Sequence, residues 1–103
     1  MAAILIIDDE ELIRISLSDR IKRLKHTAWT ASTLQEGLNL IKKESFDLIF
    51  LDINLPDGSG LDALPLIRQN PSKPEVIIIT ALGSTQGAKL AIENGAWDYI
   101  TKP

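Results

Sequence analysis

Residues 47–67 read DLIFLDINLPDGSGLDALPLI, and three patterns meet within that stretch. Leu48 to Leu51 form an unbroken apolar run closed by Asp52, which suits a strand covered on both faces. The turn-rich NLPDGSG at 54–60 follows, with Pro56 fixing the loop and Asp57, Gly58 and Gly60 as turn formers. Leu61, Leu64 and Ile67 then recur at helical spacing, and NPSKP at 70–74 ends that helix because proline cannot continue it. A fully apolar strand that turns into an amphipathic helix is the building unit of a parallel sheet.

The same unit recurs on either side. AILII at 3–7 is an apolar strand, and Ile13, Leu17, Ile21 and Leu24 place one stripe on a helix from about Glu10 to Lys25. TAWTA at 27–31 alternates as a weaker strand. STLQE at 32–36 holds two overlapping capping boxes, Ser32 with Gln35 and Thr33 with Glu36, ahead of a helix marked by Leu34, Leu38 and Ile41. VIIIT at 76–80 is a further strand, followed by a helix over 85–94 that Gly95 ends at a left-handed cap, and DYI at 98–100 closes the series. Five strands and four helices in strict alternation predict an α/β fold: a doubly wound, parallel, five-stranded open sheet with helices on both faces. Such sheets bind ligands beyond the carboxyl ends of their strands, where the strand order reverses.

Bulk properties narrow the function. A chain of 103 residues has room for one domain, 1–103, and 24% charged against 45% hydrophobic residues is the balance of a folded globular protein. With no cysteine there is neither a disulfide nor a thiolate metal site, and the cytoplasm is the default location. Neither an export signal nor a membrane-spanning run is legible. A net charge of -3 offers no electrostatic footprint for direct nucleic-acid contact.

The chemistry collects at the strand ends. The first strand ends in Asp8 and Asp9, the third in Asp52, the fourth in Thr80 and the fifth in Lys102 after Thr101, while the second ends in nothing reactive. In the order 2-1-3-4-5 the four reactive ends are neighbours. Taken alone, Asp9 reads as a helix cap and Glu10 and Glu11 as acids at the positive end of a helix; three carboxylates, a hydroxyl and an ammonium at one sheet edge exceed that role. Two like charges about 4 Å apart repel by roughly 4 kcal/mol at an effective dielectric of about 20, so such a cluster calls for a cation.

Jointly, DD at 8–9, LDINLPDGSG at 51–60, TA at 80–81 and DYITKP at 98–103 resemble a response-regulator receiver domain, the phosphoacceptor half of a two-component signalling pair. The resemblance spans nearly the whole chain. It implies a flavodoxin-like, chemotaxis-regulator-like sheet and a phosphoryl group passed from a sensor histidine kinase or phosphotransfer protein to Asp52. It implies Mg2+ held by Asp9, Asp52 and the Asn54 carbonyl, with Asp8 acting through water. It further implies phosphoryl oxygens held by Lys102 and the Ala81 N–H, and a switch in which Thr80 turns toward the phosphate and Tyr99 moves, changing the surface around the fourth helix and fifth strand. A domain of this kind is not an enzyme beyond its own phosphorylation and dephosphorylation. The stretch LDINLPDGSGLDALP at 51–65 and the ending GAWDYITKP at 95–103 are most similar to transcription activators of the enhancer-binding kind, which implies a downstream output domain, and a homodimer is a further partner that the resemblance allows.

Rival readings exist. GSGLDA at 58–63 fits a dinucleotide fingerprint, but its glycines stand several residues after the strand, and Asp52 and Asp57 would oppose a pyrophosphate. A haloacid-dehalogenase-like phosphatase shares the aspartyl-phosphate chemistry but wants an aspartate where Asn54 stands. A pseudo-receiver binding module would have no need of Asp8, Asp9, Asp52, Thr80 and Lys102 together. His26 is assigned no function, and Trp29 and Trp97 are read as packing residues, with Trp97, beside the proposed output face, also placed to meet a partner. Receivers carry a fifth helix after KP, so a domain lacking it should expose apolar strand surface on one face. Leu82, two residues past Thr80, cannot orient an attacking water, which predicts a long-lived phosphoryl group.

Overall fold

The computed structural model describes residues 1–80 and 85–102. Its elements in chain order are β1 (Ala3–Ile7), α1 (Glu11–Arg23), β2 (Thr27–Ala31), α2 (Leu34–Lys43), β3 (Leu48–Asp52), β4 (Asn54–Leu55), β5 (Gly58–Ser59), α3 (Gly60–Arg68), β6 (Glu75–Thr80), α4 (Thr85–Glu93) and β7 (Asp98–Thr101). Five strands form one parallel sheet in the order β2-β1-β3-β6-β7. Counted among those five alone, this is the expected 2-1-3-4-5. The two remaining strands were not anticipated: they pair antiparallel, Asn54 with Ser59 and Leu55 with Gly58, and fold the loop after β3 into a small hairpin.

The sheet's alternation sorts its residues between two unequal cores. Leu5, Ile7, Ile49, Leu51, Val76 and Ile78 point to the side of α2, α3 and α4 and are buried with Ile41, Leu64, Ile67 and Ala91. Ile4 and Ile6 point to the other side, where α1 covers them with Ile21 and Leu17. There Leu48, Phe50 and Ile77 remain half-buried and Ile100 is 39% exposed, whereas Ile49, Leu51 and Ile78 on the opposite face are at 0%. This is the open apolar face expected of a sheet flanked on that side by one helix.

Local chemistry sets the helix boundaries. The Thr33 hydroxyl accepts from the Glu36 N–H, so the second of the two overlapping capping boxes starts α2. Asp57 adds a clamp from a distance, its two carboxylate oxygens accepting from the Leu34 and Gln35 N–H groups and tying the hairpin to α2. These bonds hold the Asp57 carboxyl below its ordinary range. The first helix is shorter than its periodicity predicts because Lys25 takes φ +70°, with Lys25 N–H bonded to Lys22 O and His26 N–H to Ile21 O. The same closure occurs after α4 at Gly95, φ +102°, as the sequence predicts, with Ala96 N–H on Ala91 O.

Candidate functional site

At the carboxyl edge each reactive residue is pinned by a backbone bond to a neighbouring strand. Asp8 N–H donates to Ala31 O at 3.1 Å, Ile53 N–H to Ile79 O at 3.3 Å, and Lys102 N–H to Thr80 O at 2.8 Å. Register places Asp52 beside Ile79 and Thr80 beside Thr101. The ends of β1, β3, β6 and β7 are thereby held level, and the side chains beyond them meet.

Lys102 is the hub. Its Nζ donates to Asp52 Oδ2 at 3.1 Å, to Asp8 Oδ1 at 3.4 Å and to Glu10 Oε1 at 2.9 Å. Asp8, Asp52 and Thr80 are buried, at 0%, 3% and 2% exposure. One ammonium thus faces three carboxylates, with the exposed Asp9 grouped beside Asp8 and Glu10. Burial pushes the Asp52 carboxyl up from its ordinary range; the Lys102 hydrogen bond opposes this, the Asp8 charge adds to it, and the Asn54 N–H, 3.2 Å from Asp52 Oδ1, opposes it again. For Lys102, burial favours the neutral amine, but the hydrogen bonds to Glu10 and Asp52 and the charges of Asp52 and Asp8 outweigh it, and the group lies well above the usual lysine range.

The residues suit a hard divalent cation. Asp8 Oδ2 is buried and receives no hydrogen bond from the described residues, although Lys102 Nζ stands 3.4 Å away. An orphaned carboxylate oxygen in a pocket of excess negative charge, with oxygen donors all round, is what a Mg2+-like ion satisfies.

Most of the expected residues converge: Asp8, Asp52, Thr80 and Lys102 lie together, and Asp9 joins through Asp8. Asn54 sits on the hairpin with its N–H turned to Asp52 and its side chain exposed. Tyr99 is 44% exposed on the edge strand. Ala81, the expected phosphate-binding N–H, as well as Leu82 and Pro103, lie outside the described residues. Glu10 belongs to the cluster, beyond the helix-end role that the sequence predicts for it. Its signal in the sequence was its place directly after Asp8 and Asp9, but the partner that recruits it is far along the chain. Gly60 is a further correction, being less a turn former than a point of contact: a Cβ there would run into the Asp52 backbone carbonyl. Ser59 caps α3 through Leu61 N–H, so GSGLDA is a hairpin and helix start packed against Asp52, and the dinucleotide reading falls.

The fold is a flavodoxin-like parallel sheet with an acidic, lysine-bridged pocket at its carboxyl edge. Residues 4–103 match the family described as response regulator receiver domain, and the chain belongs to that family. It is 42% identical over 99 residues to response regulator protein PilR of Pseudomonas aeruginosa, covering 96% of this chain and 22% of that protein, so it spans about a fifth of that relative's length. A receiver-domain crystal structure from Clostridium thermocellum superposes with a TM-score of 0.90 at 34% identity, covering all of this chain and 83% of the other. A response regulator from Burkholderia pseudomallei, solved with a phosphorylated aspartic acid, a calcium ion and citrate, superposes at 0.91 with 27% identity, over 100% of this chain and 61% of that one. Among the described residues no helix is long and apolar enough to cross a membrane.

Proposed function

We propose that the chain is a phosphoacceptor whose Asp52 takes a phosphoryl group from a phosphohistidine of a sensor histidine kinase or phosphotransfer protein. An Asp52 carboxylate oxygen attacks phosphorus and the P–N bond breaks, its electron pair leaving with the imidazole, which gains a proton. A carboxylate needs no base to become the nucleophile, so the work of the site is positioning and charge neutralisation. Asp8, Asp9, Asp52 and the Asn54 carbonyl would hold Mg2+. When bound, that ion neutralises the excess carboxylate charge and favours the developing negative charge on the phosphoryl oxygens. Lys102 and the Ala81 N–H hold those oxygens, and Thr80 reports the new phosphate to a surface built from α4 and β7, where Leu90, Trp97 and Tyr99 are exposed.

That surface is the meeting place for an output domain of a longer protein that regulates transcription in the cytoplasm, or for a second copy. The domain acts on no substrate except its own acyl phosphate. The observation that carries the reading is the half-buried Lys102 ammonium shared by the buried Asp52 and Asp8. Incubation with acetyl phosphate and Mg2+ tests it by intact mass. One phosphoryl mass gained by the wild type and none by Asp52→Asn is the expected result; continuous turnover of the donor would favour a phosphatase, and no gain by the wild type a pseudo-receiver.

A further inference from the structure

We propose that Glu10 is a positioning residue that competes with the phosphoryl oxygens for Lys102, and so sets how readily the site accepts them. This rests on the reading of Lys102 as a phosphoryl-binding group. Glu10 stands at the N-cap of α1 in extended backbone and, unlike the short side chains that cap helices, makes no bond to a helix N–H, so the helix does not hold its carboxylate. Its carboxylate reaches Lys102 Nζ at 2.9 Å, closer than Asp52 at 3.1 Å or Asp8 at 3.4 Å.

A lysine ammonium has three N–H donors, and the three acids occupy them. A phosphoryl oxygen can therefore be received only as one carboxylate withdraws. Asp52 is itself the group phosphorylated. Asp8 is fully buried and fixed, its Oδ1 accepting from Glu10 N–H at 2.8 Å and its backbone carbonyl from the Arg14 guanidinium at 2.8 Å. Glu10, 55% exposed, is the acid that can return to water at least cost. The pair parks Lys102 at the pocket in the resting domain and is given up on phosphoryl capture.

Beryllofluoride with saturating Mg2+ serves as the phosphoryl mimic, its affinity measured by calorimetry, with Mg2+ affinity measured separately. Glu10→Gln should tighten beryllofluoride binding about three-fold, the scale of a half-exposed ion pair. Glu10→Asp, one methylene shorter, should fall between. Glu11→Gln, which removes a neighbouring exposed acid with no ion pair among the described residues, should leave it unchanged. Equal tightening in Glu10→Gln and Glu11→Gln, a change confined to Mg2+ affinity, no change, or weaker binding in Glu10→Gln would each overturn the inference alone. Wild-type beryllofluoride affinity in Lys102→Met would overturn the reading beneath it.

Discussion

Two aspartates bracket β3, and their fates differ. Asp47 precedes the strand at the amino edge, is exposed, and accepts from Ala3 N–H at 2.8 Å, while its own N–H and carbonyl bond Ala3 O and Glu75 N–H. Asp52 ends the strand at the carboxyl edge, is buried, and shares one lysine with two other acids. The residue type is the same; the difference is whether water and neutral N–H groups satisfy the charge or other charges crowd it. An aspartate satisfied by amides holds structure, whereas one left under-neutralised keeps an electrostatic demand that the fold has not met, on which the proposed function rests.

The hardest way to break this contrast is substitution at both ends. Asp52→Asn should abolish phosphoryl uptake, whereas Asp47→Asn should keep the wild-type rate and lose at most about 1 kcal/mol of stability, the worth of one ordinary hydrogen bond; mass spectrometry and thermal unfolding of each variant decide it. A smaller but still large effect is expected from the cation. At about one hundred times its dissociation constant, Mg2+ should stabilise the wild type by about 2.7 kcal/mol, and Asp8→Asn should remove most of that gain in a thermal shift series, while Asp47→Asn keeps it.

Gly60→Ala sharpens the contrast from the backbone side. Its methyl group must displace the Asp52 carbonyl, so a loss of about 1–3 kcal/mol together with slowed phosphorylation is expected. A variant that unfolds earlier yet phosphorylates at the wild-type rate would show that the contact serves packing alone. The smallest effect is in pH dependence. The folded-state pKa of Asp52 is raised, so the folded protein binds the extra proton between the ordinary carboxyl value and the raised one, and stability declines as pH rises through that window. In chelator, Asp52→Asn should flatten that decline and melt higher than wild type at pH 7.

Much of this was readable in one dimension. Apolar runs of strand length and the helical spacing between them gave the alternation of elements, and the residues closing each run brought Asp8, Asp52, Thr80 and Lys102 to one edge, because a parallel sheet aligns its carboxyl ends whatever the details of packing; the strand order came with the receiver resemblance. Gly95 and the Thr33 to Glu36 box were legible for the same reason: each depends on its immediate neighbours. The hairpin of β4 and β5, the Asp57 clamp on α2, the Lys25 closure of α1 and the contact behind Gly60 were not, since each is settled by atoms distant in sequence or by an unusual backbone angle that the side chain does not announce.

The amino-acid order by itself determined the alternation of elements, the family and the acidic edge, because burial patterns and strand-terminal residues are local properties of the chain. Only the folded molecule decided how the charges divide. Lys102 chooses its partners by where the ends of β1, β3 and β7 come to rest, so Glu10 joined the site, Asp8 kept an oxygen without a donor among the described residues, and Asp52 became a carboxylate whose charge burial disfavours. Electrostatic energies fall with distance and rise with burial, and neither quantity exists until the sheet has closed.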